Sequence, residues 1–227
     1  MNVVFGGGLW PIGWSVGFIE AGFAEVARAM RDWHTEIGRK ESWTDVDGPL
    51  PKLLALLAPL QTPPKRELIV GTERKWSAIF DNSRLGGDPN SAVHTLSRRL
   101  ARRSVVATHI PRGQYRYPST KFVLIGDDGA SLRTVYAGIY DEGRWLFDAY
   151  GEVQGFEEVE AYGRRLKRER LTREMLLDYL WALDIRADDP SFYGEGALIE
   201  NRDSWRPGWT AGVEKARRQC LGIDPWT

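Results

Sequence analysis

The chain has 227 residues, of which 42% are hydrophobic, so it can bury a complete core and is not disordered as a whole. Basic and acidic residues both number 31, and this zero net charge disfavours a general nucleic-acid binder, which carries a positive excess. The single cysteine, Cys220, has no partner for an intramolecular disulfide. We therefore expect a cytoplasmic protein in which Cys220 is an inert, partly buried thiol.

The first twenty residues look apolar, but they are interrupted by glycines and by Pro11, and no basic segment precedes them. This pattern does not predict a signal peptide. No window approaches eighteen uninterrupted apolar residues, so no membrane span is expected. Residues 18–41 then repeat apolar side chains at helical spacing, and the leucine-rich residues 50–60 predict a second, shorter helix. Residues 1–62 are accordingly predicted to form an N-terminal helical layer.

The middle of the chain is rich in β-branched and aromatic residues. Strands are predicted at residues 67–70, 76–80, 105–110, 114–125, 134–140 and 144–150, with a helix at 91–102. The first two strands flank a turn sequence and predict a hairpin. The last three are joined by turns too short for helical crossovers, which predicts an antiparallel meander.

Beyond Gly151 the pattern predicts helices at residues 156–168 and 172–183, with Thr172 as the N-cap of the second. Residues 186–227 are predicted to be an irregular acidic tail that ends in a short helix. The whole chain is thus predicted to be one α+β domain, with residues 67–185 supplying the sheet and its helices. We expect a mainly antiparallel sheet of five to six strands with helices packed on one face.

Neither a metal site nor a cofactor site is indicated. The three histidines, His34, His94 and His109, fall on different predicted elements without metal-ligand spacing. The sequence neither supports nor forbids a pair between Cys220 and His94 or His109. The glycine run at residues 6–8 lacks the residues that follow it in phosphate-binding loops, so we interpret it as a turn.

Carboxylates near strand ends give the alternative hypothesis of a small acid–base enzyme, a hydrolase or lyase. Asp81 follows one predicted strand, and Asp148 and Glu152 lie near the end of another. If these strands are adjacent, the three carboxylates come within acid–base distance. The competing interpretation is structural, with Asp81 and Asn82 capping a turn.

Two groups of charged residues are candidates for binding surfaces. The basic run from Arg164 to Arg173 spreads around a helix axis, which favours a solvated face over a nucleic-acid site. The acidic tail combines carboxylates with aromatic residues, as protein interfaces do, although its aromatics could instead pack inward. The predicted partner-binding residues are Asp188, Asp189, Phe192, Tyr193, Glu195 and Trp205.

Two segments carry a resemblance: residues 76–82 (WSAIFDN) and residues 143–151 (GRWLFDAYG), the latter followed by FEE at 156–158. They resemble a set of uncharacterised bacterial proteins and are similar to immunity proteins of polymorphic toxin systems, over roughly residues 67–185. The resemblance implies a protein that binds a cognate toxin and blocks its active site or substrate access, without catalytic groups. It carries over no functional residue. The acidic tail and the acidic turns at 127–128 and 141–142 would suit a basic toxin surface.

Overall fold

The computed structural model describes residues 4–140 and 143–226. The strands are β1 (Ser15–Ile19), β2 (Glu41–Val46), β3 (Leu60–Thr62), β4 (Arg66–Thr72), β5 (Ser77–Asp81), β6 (Ser104–Ile110), β7 (Ser119–Ile125), β8 (Ser131–Ile139), β9 (Trp145–Gly151), β10 (Tyr193–Asn201) and β11 (Trp209–Ala211). The helices are α1 (Phe23–Glu36), α2 (Leu50–Ala55), α3 (Asn90–Leu100), α4 (Arg173–Ala182) and α5 (Val213–Cys220).

Within the described part of the chain, nine strands form one antiparallel sheet in the order β2-β10-β4-β5-β1-β6-β7-β8-β9. The predicted hairpin of β4 and β5 and the predicted meander that ends in β7, β8 and β9 are both confirmed. The expected number of five to six strands was too small. Strands β1, β2 and β10 were missed, because β1 is buried throughout and shows no alternation, whereas β2 and β10 are rich in polar residues and glycine.

The central strands of the sheet are buried on both faces. Its first core, which includes Phe18, Phe80 and Phe122, lies under α2 and α4. Its second core, which includes Ile79 and Val106, lies under α1 and α3. The expectation of helices on one face was therefore wrong, because neighbouring residues of the central strands are apolar on both sides and each side needs a cover.

The segment at residues 156–168 does not form the predicted helix. It contains two short 3-10 turns, Val159–Gly163 and Lys167–Glu169. Glycine at 163 weakens a helix, and the side chain of Glu157 turns inward to a buried arginine. The next helix, α4, begins as predicted, since the hydroxyl of Thr172 accepts a hydrogen bond from the backbone N–H of Met175.

The two ends of the chain contribute to the sheet. Strand β1, from the predicted helical layer, pairs with β5 and β6 in the middle of the sheet. Strand β10, from the predicted irregular tail, lies between β2 and β4. A second, two-stranded sheet joins β11 to β3. No helix in residues 4–140 and 143–226 is both long enough and apolar enough to cross a membrane.

Candidate functional site

Asp81, the first of the enzyme candidates, closes a loop. It is the last residue of β5 and is buried. Its carboxylate accepts hydrogen bonds from the backbone N–H groups of Ser83, at 2.7 Å, and Asp88, at 2.9 Å. Burial raises the pKa of the Asp81 carboxyl above its usual range. These bonds hold the loop that leads to α3. Asp81 therefore caps a turn, as in the structural interpretation of the sequence.

The other two carboxylates lie far from Asp81. Asp148 is exposed on β9, the last strand of the sheet, and Glu152 follows that strand. Between β5 and β9 there are five strand spacings, or roughly 24 Å. The structure therefore does not bring Asp81 together with Asp148 and Glu152, because strands β1, β6, β7 and β8 lie between them. The sequence alone could not show this insertion.

The predicted partner-binding residues are also separated, and two of them are not accessible. Phe192 and Tyr193 are 0% and 6% exposed and belong to the first core. The Tyr193 hydroxyl donates to the carbonyl of Ala187 at 2.9 Å. These aromatic side chains therefore pack inward, the alternative that the sequence left open.

The remaining members of that set occupy different places. Asp189 caps a 3-10 turn by accepting from the N–H and the hydroxyl of Ser191, and these bonds lower its pKa. Glu195 is exposed near the start of β10, and Asp188 is half-buried before it. Trp205 follows the other end of β10, a nine-residue strand of about 30 Å, and stacks under the ammonium of Lys65. The six residues do not form one surface.

The histidines and the cysteine are not arranged for nucleophilic catalysis. His34 is fully buried, and its Nδ1 donates to Glu41 at 2.6 Å while its Nε2 accepts from Arg39 at 3.0 Å. His94 donates from Nδ1 to the carbonyl of Gly129 at 2.8 Å. Burial raises the pKa of the Cys220 thiol to about 12, which keeps it protonated at neutral pH.

No group of three or more metal-ligating side chains occurs in the described residues. The backbone carbonyls of the glycine run at residues 6–8 accept hydrogen bonds from other parts of the chain. The carbonyl of Gly6 accepts from Gln114 at 2.9 Å, and that of Gly8 accepts from Arg217 at 2.6 Å. The carbonyl of Gly7 accepts from the backbone N–H of Trp10 at 3.1 Å, which closes a four-residue turn. The run therefore acts as a structural turn.

The basic run does not form a helix face, because most of it lies in the loop before α4. Arg164 bonds to Glu158 at 2.6 Å and to the carbonyl of Glu169 at 2.9 Å. Arg170 donates to the carbonyl of Arg164 and lies over the ring of Phe147. These contacts fold the loop against β9. Arg168 and Arg173 instead line a cleft.

This basic cleft lies where β6 ends, where β7 and β9 begin, and where α4 starts. Its volume is about 330 Å³. The residues that define it are His109, Arg112, Trp145, Arg168, Glu169, Arg173 and Glu174. His109 Nδ1 lies 2.9 Å from the hydroxyl of Thr120. Burial and, after it, the positive charge of Arg173 lower the pKa of His109 to about 4, so the imidazole is neutral at physiological pH.

A second feature is a row of side chains on the opposite face of the sheet. Helix α3 packs over β1 and β6, and β8 and β9 lie two and three strands beyond β6. On this face, cross-strand neighbours place Thr134 beside Tyr150, Tyr136 beside Asp148, and Gly138 beside Leu146. We call Thr134, Tyr136, Leu146, Asp148 and Tyr150 the exposed sheet face. Tyr150 is 64% exposed and Leu146 is 38% exposed.

Tyr136 is held flat on this face. A Cβ atom at Gly138 would lie 2.3 Å from the Tyr136 hydroxyl, so the glycine makes room for the ring. Burial raises the pKa of Tyr136, and the neighbouring Tyr140 and Asp148 raise it further. The phenol is therefore neutral at physiological pH and presents an apolar ring with a polar edge.

The sequence matches no protein-family model, and comparisons with curated proteins and with solved structures found no match. The arrangement of residues is thus the basis for assigning a function. The exposed sheet face had a sequence signal, since large side chains occur on both faces of β8 and β9, which are the last two strands of the predicted meander. The basic cleft had only a partial signal, the basic run from Arg164 to Arg173, because its residues come from four separate segments.

Proposed function

We propose that the chain is an immunity-type protein that binds a cognate bacterial toxin through the exposed sheet face and thereby blocks the toxin's active site or access to its substrate. The observation that carries the proposal is the exposure of Tyr150 and Leu146, which lie diagonally on either side of Tyr136 on a regular surface, with Asp148 between them. Tyrosine is enriched among the residues that dominate protein interfaces. Adjacent exposed apolar side chains on a sheet typically mark a binding site.

The charge around this face suits a basic partner. Asp148 lies within the face, and Glu152 follows β9 at the same end as the turn that carries Asp127 and Asp128. All four carboxylates are on exposed residues, and Lys121 is the cation in the same row as Tyr136 and Asp148. Opposite charge on a toxin would speed the encounter and orient the complex.

Inhibition by binding also agrees with the placement of the carboxylates. An inhibitor needs no acid–base pair, and four strands of the sheet lie between Asp81 on β5 and Asp148 on β9. It needs a surface that keeps its shape, because ordering a flexible surface reduces affinity. Strands β8 and β9 pair over seven residues from Arg133 to Ile139, which fixes the relative positions of the side chains on the exposed sheet face.

The test compares two variants of the full-length chain as bait in the source bacterium. Tyr150→Ser with Leu146→Ser alters the exposed sheet face, and Trp181→Ser removes an aromatic side chain that is 54% exposed on α4, as the matched control. We expect the wild type and the control to retain one basic protein in an equimolar complex, and the double variant to lose it.

The retained protein is then expressed with each variant in a sensitive host. We expect growth to be restored by the wild type and by Trp181→Ser, but not by the double variant. Equal retention by the double variant would refute the proposed surface. A retained protein that has no toxicity by itself would refute the immunity function.

A further inference from the structure

We propose that the basic cleft binds the phosphate group of a small phosphorylated ligand that carries a ring. The cleft lies on the same side of the sheet as the first core. His109 and Thr120 are each two residues away from a residue of that core, Ala107 on β6 and Phe122 on β7, and residues two apart on a strand share a face. The exposed sheet face is on the other side of the same strands. The two sites are therefore independent, and the inference goes beyond the proposed function.

Within the described residues, the three arginines of the cleft have no hydrogen-bonded partner for their side chains. The guanidinium groups of Arg112, Arg168 and Arg173 form no hydrogen bond and no ion pair with residues 4–140 or 143–226, although the charge of Arg173 contributes to the lowered pKa of Glu174. Arg164 and Arg170 of the same loop do form hydrogen bonds. Guanidinium groups around one cavity repel each other, and a bound anion relieves that repulsion. Their planar N–H forks match phosphate oxygens.

The acidic residues of the cleft neutralise only part of this charge. Glu174 bonds to its own backbone N–H and to the Thr172 hydroxyl at the start of α4, which lowers its pKa. With Glu169 included, three arginines face two glutamates, so the cleft has a net charge of +1. A carboxylate ligand offers only two oxygens to three guanidinium groups, whereas a phosphate monoester offers three terminal oxygens, which favours phosphate.

His109 adds a neutral hydrogen-bonding group. When the Thr120 hydroxyl donates to Nδ1, the proton of the imidazole is on Nε2, which has no hydrogen-bond partner in the described part of the chain. A neutral imidazole does not add to the repulsion among the arginines. It can donate to a phosphate oxygen, and the negative charge of that phosphate would in turn raise the pKa of His109.

The cleft is larger than a phosphate ion requires. Its volume of about 330 Å³ lies at the lower end of the range for small-molecule sites. Trp145, Ile110 and Pro118 form an apolar part of the wall. An indole ring beside three guanidinium groups suits a ligand in which a ring is attached to the phosphate, as in a nucleoside monophosphate.

The experiment is isothermal titration of the full-length protein with adenosine 5′-monophosphate, inorganic phosphate and adenosine. The variants are Arg173→Gln and Arg168→Gln, with Arg165→Gln as the matched control, because Arg165 is an exposed residue of the same loop outside the cleft. We expect the monophosphate to bind with a Kd of roughly millimolar or tighter, more tightly than either fragment. Arg173→Gln and Arg168→Gln should each weaken binding by roughly 10 to 100-fold, and Arg165→Gln by less than about 2-fold.

Two results would overturn the proposal as a whole, and a third would overturn its ring. One is the absence of saturable binding of both phosphate-containing probes by a protein whose melting temperature is normal. The other is equal weakening by Arg165→Gln, together with tighter binding of an RNA oligonucleotide and a steep dependence on salt, which would indicate a diffuse polyanion surface. If inorganic phosphate binds as tightly as the monophosphate, the ring of the ligand contributes nothing to binding. That result would refute the proposed ring-bearing ligand and indicate a site for phosphate alone.

Discussion

At the scale of single residues, the buried pair of Arg133 and Glu157 is the main electrostatic feature of the first core. The Glu157 side chain is fully buried and that of Arg133 is 4% exposed. Two parallel hydrogen bonds join them, from Nε at 3.0 Å and from Nη2 at 2.8 Å. Arg133 Nη1 also donates to the carbonyl of Gly151, and Glu157 also accepts from the hydroxyl of Tyr162 and the backbone N–H of Gln154. Both charges are therefore compensated within the protein.

We predict that Glu157→Gln lowers the free energy of unfolding by about 3 to 5 kcal/mol, because it leaves the guanidinium of Arg133 buried without a counter-charge. The measurement is urea denaturation followed by far-ultraviolet circular dichroism. The control is Arg218→Gln, which breaks an ion pair with Asp224 at the surface and should leave the midpoint nearly unchanged. A loss below about 1 kcal/mol for Glu157→Gln would contradict this account of the pair.

His109 supplies a prediction about pH. Its pKa is lowered from 6.5 to about 4 by burial and then by Arg173. Below about pH 6.5 the unfolded chain binds a proton at this imidazole and the folded protein does not. The stabilising contribution of the neutral histidine is therefore present above pH 6.5 and is lost as the pH falls towards 4.

The imidazole resonances of His109 should accordingly titrate near pH 4 in a nuclear magnetic resonance experiment. Arg173→Gln should raise this pKa, since a neighbouring positive charge is removed. In His109→Gln, the melting temperature should fall less steeply between pH 6.5 and 4 than in the wild type. A wild-type His109 that titrates near 6.5 would show that the side chain is solvated and that the cleft is open to bulk water.

At the scale of secondary-structure elements, strand β8 determines how the exposed sheet face is built. Gly138 is extended, and a Cβ atom there would approach the Tyr136 hydroxyl to 2.3 Å and the Cβ of Ser119 to 2.7 Å. The tyrosine ring can move, but the backbone-linked Cβ of Ser119 on β7 cannot move without shifting the strand. The absence of a side chain at Gly138 therefore allows β8 to pack closely against β7 and leaves room for the ring of Tyr136.

We predict that Gly138→Ala lowers the free energy of unfolding by roughly 1 to 3 kcal/mol, as overpacking of a tight site does. It should also displace Tyr136, which is visible as a change in its ring resonances. Gly155→Ala is the matched control, because a Cβ atom at Gly155 meets nothing within 4 Å. Equal stability of the two variants would mean that β7 and β8 can separate at little cost.

The elements that sequence analysis predicted well are those with a regular pattern and short connections. Strands β4 to β9 alternate or are rich in β-branched residues, and their turns dictate antiparallel neighbours. Strand β10 has the sequence YGEGALIEN, in which glycine and glutamate hide a strand whose partners are more than a hundred residues away. Long-range pairing of this kind leaves no local signal. For the same reason the sequence could not show whether Asp81 lies near Asp148, and it could not assemble the basic cleft from four segments.

At the scale of the whole molecule, residues from the end of the chain complete the sheet begun by its first half. Strand β10 is the neighbour that joins β2 to β4. Ile199 of β10 is fully buried in the second core. Phe192, the residue before the start of β10, is fully buried in the first core. The C-terminal segment therefore contributes to both cores. We expect the chain to unfold as one cooperative unit, with a single transition in calorimetry.

Truncation after Asp184 or Ile185 tests this directly. Removal of an aromatic core residue such as Phe192 typically costs about 3 to 5 kcal/mol, and removal of an Ile199 side chain about 2 to 5 kcal/mol. Their sum is comparable to the entire stability of a typical domain, about 5 to 15 kcal/mol, and β2 loses its neighbouring strand in addition. We predict that the chain 1–185 has no cooperative thermal transition and is digested rapidly by protease. The full-length variant Ile199→Ala should retain the transition at a lower temperature. A truncated chain that melts cooperatively would show that β4 to β9 and β1 form a stable sheet without β10, and that the C-terminal segment is an appendage to the fold.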